Sequence, residues 1–377
     1  MLRIKGIDGL RAIAIICVLT QHQFLSYFSY LFGSADNSLG GIGVSIFFVI
    51  SGFLITAILI KARDNDSPRA LNFLQFYLRR FMRIFPLYYT LIFVGVVLGW
   101  QWFRSIAEWH VLYATNIYIC VSNQWIGYAG HFWSLAVEEQ FYLIWPAVVF
   151  FAPRQMLLNA ILWSIFIGII STPLIQVVFL ATDLQTYVLP FCHFDALGLG
   201  ALVAYYYILA PTQLSRAMPG RAAFLSMLSA SALLYYGLNY VHYTPLGDFV
   251  NVRMFNVITA LSIMYCVLEP NNSAIIVALE FWPVRNIGRI SYGVYLIHNI
   301  VPLLYHGTRF DIQNRHSLLG FAVYLATTFA VAAASWRFFE RPILGFKPAI
   351  DRLIANLAAQ SATGRRATSA PRGDLGR

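Results

Sequence analysis

Long apolar runs, separated by short polar or basic segments, dominate the chain from residue 10 to residue 337. Several of these runs reach about 20 residues, the length that an α-helix needs to cross a hydrocarbon layer of about 30 Å. We therefore predict an all-α, polytopic membrane helix bundle. Its ten transmembrane helices are predicted over residues 10–28, 42–60, 84–101, 132–152, 157–181, 186–208, 221–242, 254–269, 287–306 and 318–337.

The composition agrees with this pattern. Of the 377 residues, 59% are hydrophobic and 11% are charged, whereas a typical soluble domain has about 25% charged residues. This balance excludes an ordinary soluble globular protein and makes the lipid bilayer the first partner of the chain. We predict a multi-pass protein of the plasma or inner membrane, and the sequence leaves its oligomeric state open.

The basic residues give the orientation. With the N-terminus inside, 22 of the 26 Lys and Arg residues fall in cytoplasmic segments, and only Arg104, Arg253, Arg309 and Arg315 fall outside. This asymmetry follows the positive-inside rule and places both termini in the cytoplasm. It also accounts for the formal charge of +10 without a nucleic-acid partner.

Two segments fall outside the ten spans. Residues 109–120 are apolar but short, and counting them as an eleventh span would move the basic tail to the outside, so we predict a re-entrant or interfacial stretch there. Residues 346–377 begin with a short amphipathic pattern and end in Ala, Ser, Gly and Arg. We predict a basic, mostly disordered cytoplasmic tail. The four cysteines show no ligand-like spacing, so no metal site is predicted.

Ionisable residues inside the spans are the candidates for function. Each costs about 2.5–3.5 kcal/mol on insertion scales, so each should face a cavity or a partner. At about 1.5 Å per residue, all of them fall between the bilayer midplane and its outer half. They are His22, the pair Glu138 and Glu139, Asp195 and His298.

A structural interpretation stays open for each of these residues. A lone intramembrane His often only bonds between helices, and Asp195 is equally suited to packing beside nearby glycines. Tyr295 lies three residues before His298 and on nearly the same helix face, where it could orient the ring. Glu138 and Glu139 are about 100° apart around a helix, so we expect only one of them at a common site.

The first span carries two basic side chains on one stripe. Arg11 and His22 are 11 residues apart, which is within about 20° of three full helical turns and about 16 Å along the axis. A shared face suggests a shared cavity, with Arg11 at the cytoplasmic end and His22 in the outer half.

A second basic group opens the third span, where Arg80 and Arg83 lie three residues apart and hence on one helix face. One interpretation is a plain topology anchor; the other is a clamp for a phosphate-rich ligand, because guanidinium forks suit phosphate. In the second span, Ser51 and Gly52 either allow tight helix packing or make room for a narrow ligand.

These stretches occur together in an order that resembles the acyltransferase-3 family of integral membrane acyltransferases. The resemblance covers about residues 4–345. The matching stretches are GIDGLRAIAIICVLTQH with its Arg-x10-His spacing, GVSIFFVISGFLIT, LRRFMRIFPLYY, HFWSLAVEEQFYLIWP, FDALGLGALVA, ISYGVYLIHNIV and ERP.

The resemblance implies an integral membrane acyltransferase domain over residues 1–345. It implies ten spans, acyl-CoA as the donor substrate with no permanently bound cofactor, and a carbohydrate or glycolipid as the acceptor. The group transferred would be acetyl, succinyl or a longer acyl, with acetyl expected. The implied site residues are His22, Glu138 and His298 for catalysis, Arg11, Arg80, Arg83, Ser51 and Gly52 for the donor, and Asp195, Tyr142 and Tyr295 as further candidates.

His22 is then expected to be the general base on an acceptor hydroxyl or a transient acyl carrier. The sequence leaves both options open, and it does not identify the acceptor among exopolysaccharide, lipopolysaccharide and lipo-oligosaccharide. A proton-coupled transporter of an anionic solute is the alternative function, because intramembrane His, Glu and Asp with cytoplasmic Arg would also serve it.

Overall fold

The computed structural model describes residues 4–25, 38–65, 68–218, 220–240, 245–269, 273–305 and 318–368. These residues form the predicted all-α bundle, and no β-strand occurs among them. The main helices are α1 Ile7–Leu19, α2 Ser38–Arg63, α3 Arg69–Val97, α4 Phe132–Phe151, α5 Leu157–Phe179, α6 Phe194–Leu209, α7 Arg221–Tyr240, α8 Pro245–Leu268, α9 Trp282–Ile297, α10 Leu318–Ser335 and α11 Lys347–Thr368.

Seven segments among the described residues are long and apolar enough to cross a membrane: Leu39–Arg63, Arg69–Val97, Gly127–Phe151, Arg154–Phe179, Pro190–Leu209, Phe249–Leu268 and Leu319–Gln360. The other three predicted spans coincide with α1, α7 and α9. Residues 26–28, 241–242 and 306 of those predictions lie outside the described residues. The protein is therefore a multi-pass membrane protein, and the count of ten spans and the position of the termini stay predictions.

The segment after α3 forms short helices instead of a further span. Ala107–Val111 and Thr115–Ser122 divide the apolar stretch 109–120, and neither is long enough to cross a bilayer. Tyr113, between them, has a φ of 51° and stacks on the Tyr88 ring of α3 at 4.2 Å. The Tyr88 hydroxyl donates to the carbonyl oxygen of His110 at 2.8 Å. These contacts fasten the connection to α3.

Helix α2 lies at the centre of the bundle and packs closely against α6. A Cβ atom on Gly52 would overlap the carbonyl oxygen of Leu197, and one on Gly200 would overlap that of Val49. Reciprocal glycines let two helix backbones approach in this way, which is a common device in membranes.

We expect Gly52→Val to lower the stability of the protein. The added side chain would meet backbone that cannot move aside as a flexible side chain can, and overpacking of this kind typically costs about 1–3 kcal/mol. Thermal unfolding of the purified protein in detergent measures the effect. Gly220→Val is the matched control, because a Cβ at Gly220 meets no atom within 4 Å. Equal stability of the two variants would contradict the close contact.

Helices α1 and α9 lie side by side along the site. A Cβ atom on Gly288 would overlap the carbonyl oxygen of Asp8, and the Asp8 carboxylate lies 3.8 Å from the Arg289 guanidinium. The π-helical segment Thr20–Leu25 directly continues α1 and carries His22, and His298 directly follows α9. Because the two helices stay together, these two histidines come next to each other.

The tail begins with a longer ordered segment than we predicted for it. Residues Lys347–Thr368 form the helix α11, and residues 369–377 lie outside the described residues. Asp351 accepts hydrogen bonds from Arg79 and Gln75 of α3, so α11 packs against the basic end of the bundle.

Candidate functional site

A cavity of about 770 Å³ lies between α1, α2, α3, α4 and α9. Its wall is mixed, with apolar side chains along its length and charged ones concentrated toward the end where α2 stops and α3 starts. The basic lining residues are Arg11, Lys61, Arg79, Arg80, Arg83, Arg289 and Lys347, and the acidic ones are Asp8, Glu138 and Glu139.

Three arginines form the centre of this basic region. Arg11 from α1 meets Arg80 and Arg83 from α3 on the cavity wall, although the two helices are far apart in sequence. Among the described residues, none of the three has a carboxylate within 4.0 Å. Cations that gather without ion-pair partners repel one another, so an anion in the cavity would stabilise the arrangement.

A hydrogen-bonded network joins the motif residues of three helices next to these arginines. The Ser51 hydroxyl donates to the Glu138 carboxylate at 2.5 Å, and the Tyr142 hydroxyl donates to Ser51 at 3.0 Å. The Arg80 guanidinium lies 4.2 Å above the Tyr142 ring, in a favourable cation–π geometry. The Tyr142 ring therefore holds one face of the Arg80 guanidinium, and the N–H groups of Arg80 stay available to a ligand.

Glu139 also lines the cavity, which corrects our expectation that only one of the two neighbouring carboxylates would reach a common site. The cavity is wide enough to meet both helix positions although they are about 100° apart. The Oε1 atom of Glu139 is buried and has no hydrogen-bond partner among the described residues.

The far end of the cavity is closed by Tyr295 and Ser134, whose hydroxyl groups lie 2.5 Å apart. The Tyr295 hydroxyl also donates to the carbonyl oxygen of His131 at 3.0 Å. Phe47 stands edge-on to the Tyr295 ring at 6.1 Å. Tyr295 therefore stands between the cavity and the histidines beyond it.

Three histidines meet directly beyond Tyr295. The ring of His298 contacts those of His22 at 5.2 Å and of His131 at 4.8 Å, edge to face in both cases. His298 is fully buried, whereas the His22 side chain is exposed. Gly40, at the start of α2, leaves space beside His22, since a Cβ there would lie 3.7 Å from the His22 Nε2 atom.

The hydrogen bonds of His298 determine where its proton lies. Its Nδ1 atom is 2.7 Å from the carbonyl oxygen of Tyr295. A carbonyl oxygen only accepts, so in the neutral ring Nδ1 carries the proton and Nε2 carries the lone pair. That Nε2 atom is buried without a partner among the described residues, which leaves it as an acceptor beside His22.

The sequence prediction missed His131. Its Nε2 group donates to the carbonyl oxygen of Leu296 at 3.1 Å, and its Nδ1 atom accepts from Asn299 at 3.3 Å. Both ring nitrogens are therefore occupied, and His131 holds α4 against α9 beside the other two histidines. It directly precedes the predicted span 132–152, so it was not counted among the ionisable residues inside the membrane.

Four predicted residues do not line the cavity: His22 and His298 lie beyond Tyr295, and Gly52 and Asp195 pack elsewhere in the bundle. Gly52 faces the backbone of α6, in keeping with the packing interpretation. Asp195 is buried against α8, where its carboxylate accepts from Asn256 at 3.0 Å and lies 3.4 Å from Arg253. This pair neutralises the charge of Asp195 inside the bundle.

His110 does not line the cavity, and its contacts are structural. His110 is buried, and its ring nitrogens contact the Thr115 hydroxyl at 2.8 Å and the Trp102 carbonyl oxygen at 3.1 Å. Burial lowers the pKa of His110 to about 4, so this ring is neutral at physiological pH.

Among the described residues, no group of three or more His, Cys, Asp or Glu is placed to hold a metal ion.

The geometry thus combines an anion site at the basic end with a histidine acceptor at the other end. Arg11 and His22 belong to one helix and its direct continuation, about 16 Å apart along the axis. An elongated molecule with a negatively charged head and a small reactive tip would fit this arrangement.

Comparison with known proteins matches residues 4–337 to the family profile described as "Acyltransferase domain". The chain is 31% identical over 371 residues to a peptidoglycan O-acetyltransferase, OatA, of Listeria monocytogenes, which covers 90% of this chain and 56% of that protein. It is 29% identical to a putative peptidoglycan O-acetyltransferase, YrhL, of Bacillus subtilis, over 90% of this chain and 55% of the relative. It is 27% identical to the O-acetyltransferase OatA of Staphylococcus aureus, over 91% of this chain and 58% of the relative.

The chain therefore spans about half the length of the curated relatives it matches. No solved structure matches it.

Proposed function

We propose that this chain, which belongs to the acyltransferase-3 family of integral membrane acyltransferases, moves an acetyl group from cytoplasmic acetyl-CoA to a hydroxyl of a carbohydrate at the cell surface. The observation that carries the proposal is a cavity that leads from three arginines to Tyr295, whose ring lies beside those of His131 and His298. Among the described residues, these arginines have no carboxylate within 4.0 Å. An enzyme that brings a cytoplasmic donor to an external acceptor needs such a path.

The donor end follows from charge. CoA carries a diphosphate group, and Arg11 of α1 with Arg80 and Arg83 of α3 supplies guanidinium forks from two helices that line the cavity. Guanidinium–phosphate bonds are charge-assisted and frequently bidentate, so they fix both position and orientation. The thioester arm would extend from this clamp along the apolar wall toward Tyr295, past Ser51 and Glu138.

The transfer step follows from the histidines. The acceptor oxygen forms a bond to the acyl carbon and the carbon–sulfur bond breaks, so CoA leaves as a thiolate. His22 takes the proton of the acceptor hydroxyl and returns it to the leaving thiolate. The Nε2 lone pair of His298 lies beside His22 and can accept an N–H from the His22 ring. His298 would thus orient His22, as a third group orients the base in other acyl-transfer sites.

The acceptor class is supported by the relatives, two of which are named as peptidoglycan O-acetyltransferases, one of them putative. We propose a glycan outside the cytoplasmic membrane as the acceptor, with peptidoglycan as the first to be tested. His22 is exposed at the end of α1 predicted to face outward, where such a polymer would reach it.

The proposal is tested with purified protein in lipid nanodiscs, radiolabelled acetyl-CoA and a panel of surface glycans that includes peptidoglycan fragments. We expect label to appear on one glycan with the parent protein and to stay at background with His22→Gln. Mass spectrometry of surface glycans from a deletion strain should show the matching loss of acetyl groups. Binding of acetyl-CoA without transfer to any glycan, or transport of a solute without transfer, would overturn the proposal.

We expect Glu138→Gln to reduce acetyl transfer about 10- to 100-fold, because the charge-assisted bond from Ser51 is lost and such bonds contribute about 1.5–3 kcal/mol. The network under Arg80 would loosen with it. Glu139→Gln is the matched control, since the Glu139 Oε1 atom has no partner among the described residues. Turnover is measured per folded molecule. Equal activity of the two variants would give the carboxylates only a structural role.

A further inference from the structure

The first residue of α11 completes the cavity wall at its basic end. Lys347 lines the cavity with Arg79, Arg80 and Arg83 and lies within electrostatic reach of all three. Among the described residues, no carboxylate lies within 4.0 Å of its ammonium group. The family match ends at residue 337, so this lysine lies beyond the matched part of the chain.

Hydrogen bonds between α11 and α3 hold Lys347 beside the cavity. The Asp351 Oδ1 atom accepts from the Arg79 Nε and Nη2 groups at 2.9 Å and 2.5 Å and from the Gln75 Nε2 group at 2.9 Å. Lys347 lies one helical turn before Asp351 and therefore on the same face of α11. The contact that turns Asp351 toward α3 also turns Lys347 toward the cavity.

Arg79 and Lys347 line the cavity where α11 packs against the basic start of α3. Arg79 precedes Arg83 by four residues, which is about 6 Å along α3 toward its basic start. Arg79 uses Nε and Nη2 for Asp351, so its Nη1 group faces no carboxylate among the described residues. Lys347 thus adds a positive charge at this part of the cavity, and Arg79, whose charge is paired with Asp351, adds the Nη1 hydrogen-bond donor.

We propose that Lys347 and Arg79 form a second phosphate subsite, which holds the 3′-phosphate of the CoA donor. This inference rests on the proposed function, in which acyl-CoA enters with its thioester first. In CoA the ribose 3′-phosphate is farther from the thioester than the diphosphate is. When Arg11, Arg80 and Arg83 hold the diphosphate, the 3′-phosphate lies nearer to the mouth, at the level of Lys347. A lysine binds phosphate as a compact charge and needs no fixed fork geometry.

The experiment measures equilibrium binding of acetyl-CoA and of 3′-dephospho-acetyl-CoA to the full chain in nanodiscs of zwitterionic lipid. The variants are Lys347→Ala, Lys347→Arg and the matched control Arg352→Ala. Arg352 belongs to the same helix, is exposed and does not line the cavity. No acceptor glycan is needed, so the result does not depend on identifying it.

We expect Lys347→Ala to weaken acetyl-CoA binding about tenfold, the lower range for a hydrogen bond to a charged group. Lys347→Arg should bind within about threefold of the parent, because it retains the charge. Arg352→Ala should bind like the parent. For the donor without the 3′-phosphate, the parent should bind no more tightly than Lys347→Ala binds acetyl-CoA. Lys347→Ala should lose less affinity than the parent does, because only its Arg79 contact remains to be lost.

Equal acetyl-CoA affinity of Lys347→Ala and the parent would overturn the subsite. An equal loss of affinity for both donors would also overturn it, since Lys347 would then act on another part of the molecule. A lysine that binds a lipid headgroup would instead leave both affinities unchanged and reduce the recovery of Lys347→Ala in anionic lipid. Failure of the parent to bind either donor would overturn the donor assignment in the proposed function itself.

Discussion

Arg83→Ala is expected to abolish acetyl-CoA binding at concentrations that saturate the parent protein. Arg83 lines the cavity with Arg11 and Arg80, and none of the three has a carboxylate within 4.0 Å in the part of the chain that the structure describes. Removing one partner of a buried, hydrogen-bonded charge pair typically costs about 2–5 kcal/mol, which corresponds to roughly 30-fold or more in affinity. Binding of labelled acetyl-CoA to the variant in nanodiscs measures the loss.

The stability of the same variant separates a binding role from a structural one. Without donor, Arg83 contributes mostly repulsion from the two other arginines, so Arg83→Ala should unfold at the same temperature as the parent or at a higher one. Acetyl-CoA should raise the unfolding temperature of the parent but not of the variant, because only a protein that binds the ligand gains stability from it.

Arg69→Ala is the matched control for this prediction. Arg69 begins the same helix and is exposed, and it does not line the cavity. The Arg69→Ala variant should bind acetyl-CoA as tightly as the parent does. Arg83→Lys should recover only part of the affinity, since an ammonium keeps the charge without the bidentate fork. Normal donor binding by Arg83→Ala would show that the arginines serve as a topology anchor.

The apolar pattern predicted most of the fold because membrane helices satisfy their own backbone hydrogen bonds and need only length and hydrophobicity. Each predicted span overlaps a helix among its described residues. The span 186–208 begins with a short helix and the 3₁₀ turn Pro190–His193 before α6, and the span 287–306 ends in the 3₁₀ turn Val301–Tyr305. The tail was harder to predict, because α11 is tied to α3 by the ion pair of Asp351 with Arg79, and a pairing between residues so distant in sequence leaves no local pattern.

The sequence predicted only part of the site, because partners that are distant in sequence leave no local pattern. Arg11, Arg80, Glu138 and Tyr142 stand in short motifs, and the structure brings all of them to one cavity. Asp195 stands in a motif as well, but its partner Arg253 is 58 residues away and was counted only as an external charge. The motifs therefore identified most of the residues at the site, but only the fold identified which residue each of them pairs with.

His22→Gln is expected to remove transfer without removing donor binding. A positioned general base typically contributes 10²- to 10⁴-fold, so turnover should fall to near background. The donor phosphates are held about 16 Å away along the same helix, so the affinity for acetyl-CoA should stay within about twofold of the parent. Glutamine retains hydrogen bonding without basicity, which separates the chemical role from a packing role. If His22 instead carries the acyl group, acid-quenched parent enzyme would retain label that the variant lacks.

His298→Gln completes the test, because the two histidines should act as a unit. If the His298 Nε2 atom only orients His22, the single variant should lose less turnover than His22→Gln, and the double variant should be no worse than His22→Gln alone. His110→Gln is the matched control: His110 is a buried histidine with both nitrogens bonded, so its loss should lower stability and leave turnover per folded molecule unchanged. Losses that multiply in the double variant would instead mean that each histidine acts on the substrate independently. If His22→Gln turned over like the parent, His298, with its buried lone pair, would be left as the base.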